Sequence, residues 1–180
     1  MAELKEIEIK VEVKDFKKVV SNIEALGCQL SSPIRQNDTI YLPKGISFGS
    51  IPPNTAVLRI RKQKDKTLLT LKQSDYNELV SIEKELLISD ARMMHDIIKL
   101  TGYYPAVKVI KIRRKCNYKD IEICLDEVKN LGSFIEVEKI SDKPSKDVEN
   151  ELIDFLKMLK IDLSKRVHWG YDTLVALKNK

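Results

Sequence analysis

Glu6-Ile7-Glu8-Ile9-Lys10 alternates charge with isoleucine at every position. Residues two apart on a strand point to the same side, so both carboxylates and the ammonium share one face and the isoleucines the other. Same-face neighbours stand about 6.5 Å apart, a spacing better suited to gripping a bound ion or anion than to a chain of salt bridges. What this strand is for depends on whether later strands keep its phase.

The surrounding 180 residues are long enough for one domain, 1–180, with a sizeable core. Long apolar runs, a signal peptide and a basic transit segment are all missing, which predicts a soluble, cytoplasmic protein with no membrane partner. Cys28, Cys116 and Cys124 are odd in number and widely spaced, and with only His95 and His168 beside them they form no zinc pattern. They suit a reducing compartment. The net charge of +5 comes from 32 basic residues interleaved with 27 acidic ones. Without a basic stripe, nucleic acid is not the expected partner.

In chain order, Lys5 to Val13 is the first strand, and Asp15 caps a helix with Phe16, Val19, Val20, Ile23 and Leu26 on one face, ended at Gly27. Ile34 to Pro43 is a second strand. Lys44 to Asn54, rich in Gly, Pro and Ser, is an irregular loop that could equally be a mobile flap or a plain surface loop. A hairpin follows, Thr55 to Gln63 and Thr67 to Gln73, and then a fifth strand from Leu79 to Ile88. Ser89 or Asp90 starts a helix whose Met93, Met94, Ile97, Ile98 and Leu100 read as core, ending at Gly102. His95 on it reads as a surface or satisfied side chain. Ala106 to Cys116 and Lys119 to Glu127 form a second hairpin turning near Asn117 and Tyr118, and Phe134 to Ile140 is the eighth strand. Ser145 caps a third helix, and the tail from Val167 to Lys178 holds a short last one.

The opening pattern recurs: one strand face carries charges of both signs, the other Ile, Leu and Val. Two architectures satisfy it, an open sheet with one solvated face, or a barrel with its charges inward and amphipathic helices outside. Periodicity alone favours the open sheet. Like-charge pairs favour the barrel: Arg59 with Arg61, Lys111 with Arg113, Glu83 with Glu85 and Glu136 with Glu138 repel unless opposite charge is held between them. Cations in such pairs imply a polyanion, and carboxylates imply a hard ion such as Mg²⁺ or Mn²⁺.

Several short motifs, taken in order, resemble the CYTH-domain proteins, the triphosphate tunnel metalloenzymes that include class IV adenylyl cyclases and thiamine or inorganic triphosphatases. Glu6-Ile7-Glu8-Ile9-Lys10 matches the family's Glu-x-Glu-x-Lys. Ala56-Val57-Leu58-Arg59-Ile60-Arg61, Thr70-Leu71-Lys72 and Lys111-Ile112-Arg113 follow, then Leu125-Asp126-Glu127-Val128 and Leu131-Gly132-Ser133-Phe134-Ile135-Glu136-Val137-Glu138. In Asp38-Thr39-Ile40-Tyr41 the family's Asp-x-Tyr spacing is one residue longer, so Asp38 and Tyr41 are not carried over as site residues. Where many relatives place a basic residue before Glu83, this chain has Ser81-Ile82.

The resemblance implies an α+β fold, an eight-stranded antiparallel β-barrel or tunnel with a charged interior and helices packed outside. It implies a triphosphate-containing small molecule held by Lys10, Arg59, Arg61, Lys72, Lys111 and Arg113. Glu6, Glu8, Glu83, Glu85, Asp126, Glu136 and Glu138 would hold Mg²⁺ or Mn²⁺, with Glu6, Glu8, Lys10, Lys111 and Arg113 as the catalytic set. Hydrolysis of a triphosphate is the first expectation. Cyclisation of ATP to cyclic AMP and pyrophosphate is the alternative, and a non-catalytic polyphosphate- or nucleotide-binding module the third. A homodimer stays open.

Overall fold

A computed structural model describes residues 4–74 and 80–178. The elements are β1 (Lys5–Glu12), α1 (Phe16–Ala25), β2 (Ile34–Pro43), β3 (Ala56–Gln63), β4 (Lys66–Ser74), β5 (Val80–Leu87), α2 (Ala91–Leu100), β6 (Tyr103–Tyr118), β7 (Ile121–Val128), β8 (Gly132–Ser141), α3 (Ser145–Met158), β9 (Arg166–Val167) and α4 (Tyr171–Lys178). The strands run in the hydrogen-bonded order β5-β4-β3-β2-β6-β7-β8-β1-β9. Eight antiparallel strands close into a barrel, and with four helices the fold is α+β. The open sheet is thereby excluded. Closing a sheet on itself is one way of removing exposed edges.

Burial makes the same distinction. A solvated sheet face would leave its charges in water, yet Lys10 is 1 %, Asp126 0 % and Glu136 3 % exposed. On β1 the isoleucines and the charges between them are therefore both enclosed, on opposite sides of one strand.

The described residues form two compact units, Met1–Ile34 with Ile112–His168, and Arg35–Lys111 with Trp169–Lys180. In the first, Ile7, Ile9, Ile123, Leu125, Ile135 and Val137 are buried, as are Val148, Leu152, Phe155 and Leu156 of α3, which packs on β1 and β8. Asn22 of α1 donates to the Leu159 carbonyl at 2.9 Å, tying α1 to the end of α3. Ser145 is not the cap of α3: Pro144 precedes the helix with φ −52° and no side chain caps it, while Asp147 places negative charge in the first turn. A proline sets the entry backbone at that position, and the acidic residue offsets the exposed N–H groups.

In the second unit, Tyr41, Ile60 and Ile98 form a buried cluster with Leu58, Leu69, Ile88, Ala91, Met94 and Tyr103 around it. Only part of the α2 apolar set is core, since Met93, Ile97 and Leu100 are exposed. A period of 3.6 identifies an apolar face but cannot tell a single face from one wrapping past the helix's contact line. Asp90 caps α2 as expected, accepting from the Arg92 and Met93 backbones at 2.8 and 3.0 Å. Gly102, at φ +95°, lets β6 begin at once at Tyr103 rather than at Ala106. The long strand then turns at Lys119-Asp120, not Asn117-Tyr118, with Lys119 at φ +54°. The expected start of β5 at Leu79 lies outside the described residues. The Lys44 to Asn54 loop is pinned: Phe48 is buried, and Tyr104 Oη donates to the Ile46 carbonyl at 2.8 Å.

Candidate functional site

Strand register builds the charged face of the first unit. Lys10 pairs with Glu136 and Glu8 with Glu138 across β1 and β8, while Cys124 pairs with Glu136 and Glu122 with Glu138 across β7 and β8. Directly opposed residues share a face, so Glu8, Glu138 and Glu122 make one row and Lys10, Glu136 and Cys124 the next.

Within these rows most charges find opposites. Lys10 Nζ lies 3.0 Å from Glu8 Oε1 and 3.1 Å from Glu136 Oε1. Arg113 grips Asp126 with two parallel bonds of 2.7 and 2.5 Å and also donates to Glu136. Such a fork is the strong form of a charge-assisted bond, and Asp126 and Glu136 hold the guanidinium pKa well above its ordinary value against the opposing effect of burial. Asp126 and Glu136, both expected at the metal, are thus engaged by this chain's own cations.

Glu6, Glu8 and Glu138 are brought together with ligand oxygens within 4.8 Å of one another. Burial pushes the Glu138 carboxyl up to about 9, and the charges of Glu6 and Glu136 and the hydrogen bond with Glu122 add to it, against the opposing pull of Arg113. Three carboxylates so close cannot all ionise without a compensating positive charge. Lys10 Nζ answers Glu8, the raised pKa of Glu138 favours its protonated form, and an all-oxygen donor set of this size fits a hard divalent ion. Glu122, Cys124 and Glu138 form a second such grouping that shares Glu138. Burial raises the Cys124 thiol far above its usual pKa, keeping it neutral.

The second unit carries the remaining cations. Arg61 donates to both oxygens of Asp38 at 2.9 and 2.7 Å, following the Asp38–Arg61 register of β2 and β3. Arg59 Nη2 lies 3.7 and 3.8 Å from Glu83 and Glu85 and donates to Thr70 Oγ1 at 3.2 Å, and Thr70 donates on to Glu85 at 2.9 Å. Lys72 Nζ sits 3.1 Å from Glu83, its partner in the β4–β5 register. Burial opposes ionisation of Glu83, but Lys72 and Arg59 outweigh it and hold its pKa below the usual value. The Lys111 ammonium sits 4.7 Å from the centre of the buried Tyr171 ring. A cation over an aromatic face is attracted by the ring's quadrupole.

Asp38 and Thr70 belong to this arrangement although the motifs did not assign them, and so does Tyr171, which the resemblance matches to an aromatic position near the family's C-terminal end. The odd spacing from Asp38 to Tyr41 carried the signal for the first. Three residues apart, the two must face opposite sides of a strand. Asp38 goes to Arg61, while Tyr41 joins the apolar cluster and bonds His95 Nδ1 at 2.8 Å, leaving that histidine satisfied as expected.

Arg61 overcomes the burial that would otherwise raise the Asp38 pKa, leaving it lower folded than unfolded. Its stabilisation is therefore fully present above the unfolded carboxylate pKa of about 4 and lost as pH falls through the folded value. Asp38→Asn is expected to cost about 1.5–3 kcal/mol at neutral pH, the range for hydrogen bonds to charged groups. Thermal unfolding between neutral and acidic pH should show the variant losing less stability on acidification than the wild type.

Comparison with known proteins agrees with this geometry. The CYTH domain pattern matches residues 4–171. A candidate adenylate cyclase from Methanocaldococcus jannaschii is 32 % identical over 176 residues, covering 96 % of this chain and 99 % of its own. A Pyrococcus horikoshii protein of known structure superposes with a TM-score of 0.82 at 24 % identity, over 97 % of this chain and 99 % of its own. A candidate adenylyl cyclase from Hippeastrum, described as having a dominant triphosphatase activity, superposes at 0.65 with 19 % identity, over 98 % of this chain and 96 % of its own. From strand motifs, barrel and relatives alike, the chain belongs to the CYTH family.

Proposed function

We propose that this protein is a divalent-metal-dependent phosphohydrolase acting on a triphosphate-containing small molecule. The observation that carries the reading is the Glu6, Glu8 and Glu138 triad, whose ligand oxygens lie within 4.8 Å of one another, with burial and the charge of Glu6 pushing the Glu138 pKa up to about 9. Mg²⁺ or Mn²⁺ held there would supply Lewis-acid stabilisation of charge on phosphate oxygens. Lys10, Arg59, Arg61, Lys72, Lys111 and Arg113 neutralise the substrate's charge. Arg61 and Arg113, each held by carboxylates, keep a fixed geometry as charge spreads over the transferring phosphoryl group, and fixed donors cost no reorganisation at that moment. Lys10, which lies between Glu8 and Glu136, would draw a phosphate oxygen toward the triad. The free thiols suit work in the cytoplasm.

The Hippeastrum relative supports hydrolysis as the first reading. The Methanocaldococcus relative supports the second, attack by the ribose 3′-hydroxyl of ATP on the α-phosphorus with pyrophosphate leaving. Both need the same charges, so the product separates them. Purified protein incubated with tripolyphosphate, ATP or thiamine triphosphate and Mg²⁺ or Mn²⁺ should release orthophosphate. Cyclic AMP and pyrophosphate from ATP would reverse the order of the two readings, and inertness toward every substrate would remove both. A binding module would instead be stabilised by tripolyphosphate without turning it over.

A further inference from the structure

In the first unit, two of the three cysteines meet on the outer side of the strands. Lys115 of β6 donates to Glu122 of the charged face at 2.9 and 2.8 Å, so Cys116, the next residue along the strand, points the other way. Cys124 stands in the charged row with Glu136. The segment after α1 runs against the end of β6. Ser31 N–H donates to the Lys115 carbonyl at 2.9 Å, the Lys115 N–H donates to Ser31 Oγ at 3.1 Å, and Arg114 Nε donates to the Ser31 carbonyl at 3.1 Å. Those bonds hold Cys28 beside Cys116, and the Cys28 thiol donates to the Asn117 carbonyl at 3.6 Å. Both cysteines are buried, and their thiols are hydrogen-bonded to each other.

We propose that Cys28 and Cys116 form a disulfide when the protein meets an oxidising low-molecular-weight disulfide, and that this bond locks the segment after α1 onto β6. A disulfide needs its sulfurs about 2 Å apart, and a hydrogen-bonded pair reaches that by small side-chain rotations. The chemistry is thiol–disulfide exchange. Cys28 gives up its proton and its sulfur attacks one sulfur of the oxidant, whose other half leaves and takes that proton. Cys116 then gives up its proton and attacks the Cys28 sulfur of the mixed disulfide, releasing the second half as a thiol. Two protein thiols lose two electrons, and one oxidant disulfide becomes two thiols. Burial pushes the Cys116 thiol up to about 11, and its contact with Cys28 adds to the rise, so Cys116 is the poorer first attacker. Cys124, fully enclosed on the charged face, takes no part. Burial keeps the exchange slow, so in a reducing compartment the thiols stay apart, and the lock forms under sustained oxidation. Once formed it closes a loop of about 90 residues in the unfolded chain, which raises the stability of the folded one.

The test is prolonged incubation of the full chain with oxidised glutathione, followed by thiol counting in denaturant, peptide mapping and thermal unfolding without reductant. Free thiols should fall from three to one per chain. The mapped link should join Cys28 to Cys116, and Tm should rise by about 4–16 °C, an increase that dithiothreitol reverses. Cys116→Ala should stop at one glutathione on Cys28 with no such rise, while Cys124→Ala should keep both the link and the rise. Three free thiols in the exposed wild type would overturn the proposal. So would a link that involves Cys124, a bond between two chains, or a Cys28–Cys116 link that leaves Tm unchanged or lowered.

Discussion

Glu138→Gln is expected to lower turnover roughly a thousandfold while leaving the fold intact at neutral pH. Charge stabilisation by a bound divalent ion is worth several kcal/mol, and about 4 kcal/mol corresponds to that factor. The fold survives because Glu138, with a pKa of about 9, is already neutral there, and glutamine has nearly the shape of a protonated glutamate. The sign of the pH dependence follows. Glu138 has a higher pKa folded than unfolded, so its contribution is full below about pH 4.5 and is lost as pH rises through about 9. Without metal, wild-type stability should therefore fall between those limits, and the variant's should fall less. Unfolding curves across that window, paired with turnover assays, check both halves. A variant retaining most of its turnover would remove Glu138 from the metal set.

The largest expected effect on stability belongs to Arg113. Arg113→Met keeps the side chain's length and discards its charge, leaving Asp126, fully enclosed, and Glu136 without the guanidinium that both accept from. Removing one partner of a buried pair costs about 3–5 kcal/mol because the other charge stays buried. For a chain of this size, each kcal/mol shifts Tm by about 2–4 °C, so a fall of roughly 6–20 °C is expected. Asp126→Asn combined with Arg113→Met should recover part of the loss, since an amide is cheaper to leave unpaired than a carboxylate. An unchanged Tm in the single variant would show that the ion pair does not hold the strands.

The contrast between these residues marks how far the sequence could be read. Alternation in Glu6 to Lys10 and its recurrence in later strands revealed the charged face, because side-chain direction along a strand is a local property. Which charge meets which was hidden. Like-charged neighbours such as Arg59 and Arg61 pointed to an external polyanion, yet Glu83, Glu85 and Asp38 already sit beside them. Those partners are fixed by the register between separate strands, which no local pattern records. Of the seven metal candidates, the structure gathers the ligand oxygens of Glu6, Glu8 and Glu138, and it sets Glu8, Asp126, Glu136, Glu83 and Glu85 beside cations. On α2, periodicity found Met93, Met94, Ile97, Ile98 and Leu100 but neither Ala91, which packs on the core cluster, nor the line dividing Ile98 from Ile97.

Calorimetric titration of the protein with Mn²⁺ near pH 7.5, repeated in buffers of different ionisation enthalpy, counts the protons released on binding. Metal replacing the proton on Glu138 predicts about one proton per ion and an affinity that rises up to tenfold per pH unit below about 9. In Glu138→Gln, both the tight binding and the proton release should disappear. Mn²⁺ binding equally tightly to the variant, or to the wild type with no proton released, would contradict the assignment of the metal to Glu6, Glu8 and Glu138.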